Sequence, residues 1–315
     1  MFGKLMNNFY YGKSGKGDYR KEDLPKNRWE LFWEMLRIRF SALMRLNLMY
    51  MVVWLPAMIV LMIAAMSALT LLGEAATTEE MMRSFSETIG SVVMSTLLLL
   101  VPCIAITGPC TAGVCYVTRN WARDEHAFIW SDFKDAVKEN WKQGLVISLI
   151  TGLLPLVVYV CWNFYSAMAA ENPVMVVPQV LTAMIGLIWM ISVTYFYPLM
   201  VSYKLKMREL LRNGLLLAVA RLPFSMGVRL LHMVPMAIAL VCAFFFFNPI
   251  WSVMGLFAYY LLFGFGLSRF VTASYTNAVF DRFINSRIEG AVINRGLSQE
   301  TDDDEEDEDE ENIQQ

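Results

Sequence analysis

The sequence predicts an all-α protein: a polytopic helical membrane bundle of six transmembrane helices, N-in and C-in, with short amphipathic helices in its cytoplasmic segments. Three observations lead there. The 315 residues are 57% hydrophobic and 17% charged, against about 45–50% and about 25% in ordinary soluble domains. Six runs each supply the roughly 20 apolar residues that a helix needs to cross a bilayer. Finally, Lys and Arg collect almost wholly in alternate connecting segments, as the positive-inside rule requires.

The spans are expected at about 46–72, 89–117, 145–170, 174–203, 223–247 and 250–268. The first contains no charged residue from Leu46 to Leu72. It follows a polar lead of 45 residues and is too long for a signal-peptide core, so it stays in the mature chain. The fifth is the weakest, because it holds His232 and also Arg229, which is expected to snorkel to the surface. On the outer side, Glu171-Asn172-Pro173 and Asn248-Pro249 read as tight turns. Only Gly73 to Thr88 has any size there, and it is acidic.

Orientation follows from the basic residues. Ten lie in the segment ending at Arg45, five between spans two and three, six from Lys204 to Arg229, and four from Arg269 onward. The single exception on the other face is Arg83. Twenty-five of 26 on one side places both termini in the cytoplasm.

Residues 1–45 form a basic cytoplasmic arm. Within it, Trp29, Phe32, Trp33, Leu36 and Phe40 recur at helical spacing. They suit either an amphipathic helix at the lipid headgroups or the wet end of span one. Residues 131–143 read as a short amphipathic helix with Ser131 as N-cap and a Phe133, Val137, Trp141 stripe. It lies on the membrane surface or packs on the inner ends of the bundle. Residues 204–221 read as a further interfacial segment. Residues 46–290 make the membrane domain and 291–315 a disordered acidic tail. Eleven of the 29 acidic residues fall between Glu300 and Glu311, so the first 299 residues hold 26 basic against 18 acidic side chains.

Catalytic and metal motifs are missing. No Asp or Glu falls inside an expected span, whereas proton relays and cation-coupled carriers place carboxylates there. There is no HExxH and no GxSxG. Gly12 to Gly17 resembles a phosphate loop in composition only. The five cysteines, Cys103, Cys110, Cys115, Cys161 and Cys242, match neither zinc nor CxxC spacing and read as packing residues. The chain is therefore expected to be no enzyme, with no cofactor and no metal, and not to bind nucleic acid. Its first partner is the lipid bilayer.

The candidate functional positions are few. Thr107, Gly108, Pro109 and Thr111 form a possible hinge in span two. Pro109 removes a helix hydrogen bond and frees the carbonyl of Ala105, Gly108 leaves the backbone room, and the two threonine hydroxyls are available to freed carbonyls. Close packing of small residues is the alternative reading. Asn163 and His232 are intramembrane polar candidates. Asn163 is expected to hydrogen-bond to another helix, and His232 to be a neutral packing residue, with a ligand or gating role as the alternative.

The stretch Ile106-Thr107-Gly108-Pro109-Cys110-Thr111-Ala112-Gly113, running into Tyr116-Val117-Thr118-Arg119, is similar to the GPxTAxLyyv-R signature of the YesL-like bacterial membrane proteins, a domain-of-unknown-function family. Trp121 to Glu125, Trp130 to Phe133, Asn140 to Gly144, Arg45 to Leu48 and Tyr275 to Asp281 agree in order, over roughly residues 30–290. The longer outer loop after span one, Cys110 where the family often has Ala, and the acidic tail depart from it. The resemblance implies an accessory of carbohydrate uptake, with sugar ABC permease subunits or a membrane sensor kinase as partners. It supplies no catalytic residue. The functional expectation is a non-enzymatic accessory or regulatory component; the alternative is a permease or channel-like facilitator for an uncharged small solute.

Overall fold

The computed structural model describes residues 24–73, 79–245 and 249–298, with the side chains of residues 72, 73 and 79–83 left aside. Residues 1–23 of the basic arm and 299–315 of the acidic tail lie outside the described residues. Among the described residues there is no strand. In chain order the helices are α1 (Arg28–Gly73), α2 (Glu79–Ala105), α3 (Thr107–Trp121), α4 (Ser131–Ala169), α5 (Val176–Ser202), α6 (Met207–Ala220), α7 (Leu222–Phe245), α8 (Pro249–Tyr259) and α9 (Phe265–Phe283). A π-helical turn, Tyr260–Gly264, joins α8 to α9, so residues 249–283 form one rod. Six helical segments are long and apolar enough to cross a membrane.

Several helices run further than hydropathy alone marks. Residues 28–45 and span one are a single 46-residue helix. It starts where Asn27 accepts the backbone N–H of Glu30 at 2.9 Å while Glu30 accepts that of Lys26 at 3.0 Å, a capping-box arrangement. Residues 131–143 likewise continue into span three as one 39-residue helix. Ser131 does not cap it. The Asp132 carboxylate accepts the N–H of Phe128 at 2.9 Å instead, since Ser131 already lies in the first turn. The last rod outruns residue 268 because apolar residues resume at Phe270 and continue to Phe283. Residues 291–298, grouped above with the tail, pack on the body: Leu297 joins the apolar cluster around α1 and α3.

α3 is the centre of the bundle and packs on α1, α4, α5 and α9. Its residues are mostly buried. The buried apolar residues concentrate at one end. One cluster gathers Leu31, Leu43, Tyr50, Val114, Trp121 and Phe270; the other gathers Ile191, Tyr195, Phe196, Leu210 and Phe280. We call this the basal end. Both described ends of the chain meet there, through Arg28–Asp281 at 2.6 Å and Ser298 N–H to Pro25 O at 3.0 Å. Towards the other end the helices expose rows of Leu, Val, Ile, Met and Phe, which suits side chains facing lipid.

Candidate functional site in the basal half of the bundle

The site is built around a break. α2 ends at Ala105 and α3 starts at Thr107, with Ile106 between them. Pro109 has no N–H for the carbonyl four residues back, that of Ala105. Ser148 of α4 takes that place, its hydroxyl donating to Ala105 O at 2.6 Å. Such close approach needs small residues on both helices. A Cβ on Gly108 would stand 2.1 Å from Gly144 O and 2.2 Å from Ser148 Oγ. Gly144, Ser148 and Gly152 follow at four-residue spacing, the small-xxx-small stripe of membrane helix contacts. Thr107 donates to Ile104 O at 2.8 Å and Thr111 to Thr107 O at 2.8 Å. The sequence therefore marks the break and its glycine, while the hydroxyl on Ala105 O comes from another helix.

Thr111 leads to the rest of the site. Tyr50 Oη lies 2.5 Å from Thr111 Oγ1; because Thr111 gives its proton to Thr107 O, the tyrosine is the donor. Beside Tyr50 stand Arg269, Cys115 and Tyr197, and the Arg269 guanidinium carbon is 5.7 Å from the Tyr197 ring centre. Arg229 of α7 lies within electrostatic reach of Arg269, and His232 within reach of both. Just basal to them, Tyr195 Oη meets Ser225 Oγ at 2.5 Å and Tyr275 Oη at 2.9 Å. The site thus joins α1, α3, α5, α7 and α9 through hydroxyls and two guanidinium groups.

A second polar joint holds the last rod. Asn47 Nδ2 donates to Tyr260 O at 3.1 Å and Leu261 O at 2.8 Å, while its Oδ1 accepts the N–H of Gly266 at 2.8 Å. One buried amide thereby bonds three backbone groups of the π-turn and its exit.

At the basal surface, Glu125 is the hub of Arg119, Arg123 at 3.7 Å and Arg295. Arg119 also donates to Val201 O at 2.9 Å. Asp281 accepts from Arg28, Asn285 and the N–H of Asn294. Tyr203 donates to Asn285 at 2.7 Å. Burial and then the Asp281 carboxylate push the Tyr203 phenol up to about 12. Arg123, Tyr203, Asp281 and Asn285 border a cleft of about 110 Å³.

Thr107, Gly108, Pro109 and Thr111 are therefore together and inside the site. His232 is at its edge, with Nε2 buried and without a hydrogen-bond partner. Asn163 is elsewhere: it is exposed near the far end of α4, and its amide donates to Tyr159 O of its own helix at 2.9 Å, so it links no helices. Sequence reasoning missed Arg269 and Arg229 as intramembrane groups. It stopped span six at residue 268 and let Arg229 snorkel from span five to the surface. The available signal was Arg269 flanked by apolar residues on both sides. Among the described residues, no three His, Cys, Asp or Glu side chains are grouped as a metal would need.

Fold and site define the class: an all-helical protein with the apolar helices of a multi-pass membrane protein. Residues 88–162 match the family described as "Protein of unknown function, DUF624". The chain is also 29% identical over 124 residues to "Uncharacterized protein YesV" of Bacillus subtilis (strain 168), a match that covers 39% of this chain. This chain spans 58% of the length of that relative. Both findings agree with the resemblance to the YesL-like family read from the motifs, and residues 88–162 hold the break and Ser148. No solved structure matches the chain.

Proposed function

We propose that this protein is a non-enzymatic accessory or regulatory component of the bacterial cell membrane, associated with carbohydrate uptake and acting through its helix contacts and its cytoplasmic face. The observation that carries the reading is the basal end. Buried packing, the Glu125 arginine hub and the joined chain ends all collect there, on the side to which the sequence reading assigns 25 of the 26 basic residues. That side is the cytoplasmic one by the positive-inside rule, so both termini are cytoplasmic. The likeness to the YesL-like family supplies the association with carbohydrate uptake. A sugar ABC permease subunit or a membrane sensor kinase is the partner the reading requires.

The test is co-purification in mild detergent from the native membrane with a tag at the C-terminus. Recovery of permease or kinase subunits in a fixed ratio supports the reading. Flux of an uncharged sugar into liposomes that hold only this protein would replace it with a facilitator.

A further inference from the structure

α7 carries Arg229 and His232 three residues apart, hence on one face of the helix. Opposite them α9 carries Arg269. The charged and hydrogen-bonding groups that act on these three are each other and Tyr50, Cys115, Tyr197 and Ser268. Among the described residues, no carboxylate stands with them. Arg229 Nε and Nη2 and His232 Nε2 are shut off from solvent and have no hydrogen-bond partner. Arg269 is eight residues from Asn277, which bonds Arg119 O at the basal surface, so it lies about 12 Å along the helix from that surface.

Two arginines acting on each other inside a helix bundle are a costly arrangement. A guanidinium keeps its proton in a protein. Two such groups side by side repel, and the low-dielectric interior makes this worse. Buried donors without partners add a desolvation cost. One oxyanion between the two forks removes both costs together. It offers several acceptor oxygens, and guanidinium groups bind phosphate through paired, parallel N–H bonds.

We propose that Arg229, His232 and Arg269 form a binding site for a phosphate-type oxyanion, carried by an anionic phospholipid headgroup or free in solution. The proposal does not rest on the accessory reading given above. To test it, the full-length protein is purified in an uncharged, phosphate-free detergent. It is then titrated in separate arms with phosphatidylglycerol and with inorganic phosphate. The readouts are the thermal midpoint and, for the lipid, retention seen by native mass spectrometry. At least one arm raises the midpoint saturably; a lipid response identifies a headgroup site and a phosphate response a free-ion site. Arg229→Gln and Arg269→Gln each weaken that response about tenfold or more, while Arg282→Gln at the basal surface leaves it unchanged. Arg229→Lys keeps the charge without the fork and falls between wild type and Arg229→Gln, which gives a second reading if a Gln variant does not fold. No response in either arm overturns the proposal, as does wild-type affinity in both Gln variants.

Discussion

Ser148 and Gly108 act on the same few ångströms of backbone, and their substitutions separate two kinds of cost. Ser148→Ala leaves Ala105 O without a partner inside the bundle, which costs about 1–3 kcal/mol. Gly108→Ala drives a methyl group into Gly144 O and costs about 3 kcal/mol, the upper part of the overpacking range. Gly227 is the control. A Cβ there meets nothing within 4 Å, so Gly227→Ala in the body of α7 is neutral or stabilises by up to about 1 kcal/mol. Thermal unfolding in detergent ranks the three variants. A Gly108→Ala protein as stable as Gly227→Ala would contradict the close crossing of α3 and α4.

At the scale of elements, the break between α2 and α3 is the joint on which the site hangs. Pro109 and Ser148 should be coupled there. Pro109→Ala restores an N–H able to reach Ala105 O, so Ser148→Ala should cost less in the Pro109→Ala background than in the wild type. A double-mutant cycle measures this, and additivity of the two changes would show that they do not share the carbonyl. The sequence marks this joint well, because Pro and Gly act through their own backbone. It does not mark Ser148, forty-three residues away, since an isolated serine in an apolar run has many possible carbonyls and only the crossing selects one. Asn47 was legible as part of the Arg45 to Leu48 resemblance but not as the amide serving the π-turn, because a π-turn has no signature in hydropathy. Arg269 was hidden for a related reason: a window that stops at a charge treats every arginine as a membrane border, whereas this one is kept in the bundle by Tyr50 and Tyr197. Asn163 shows the opposite error, a polar residue within an apolar run that serves only its own helix.

At the scale of the whole molecule, the described residues are tied together at one end and expose rows of apolar side chains towards the other. Arg28 and Asp281 link the first and last helices, with Asp281 nearly buried and Arg28 partly exposed. Arg28→Ala should cost about 1.5 kcal/mol, the lower end for a charged hydrogen bond because solvent screens the exposed partner. Truncation after Ser298 removes the eleven acidic charges of the tail while keeping Leu297 and the Ser298 contact to Pro25, so the thermal transition and membrane insertion should persist. Removing residues 291–298 as well should lower the transition, because Arg295 and Leu297 bind the body. The central claim is a six-span bundle whose tied end faces the cytoplasm, and fused topology reporters test it most directly. A periplasm- or exterior-active reporter joined after Gln315 should be silent, and the same reporter inserted near Thr78 should be active. Activity after Gln315 together with silence near Thr78 would contradict the account.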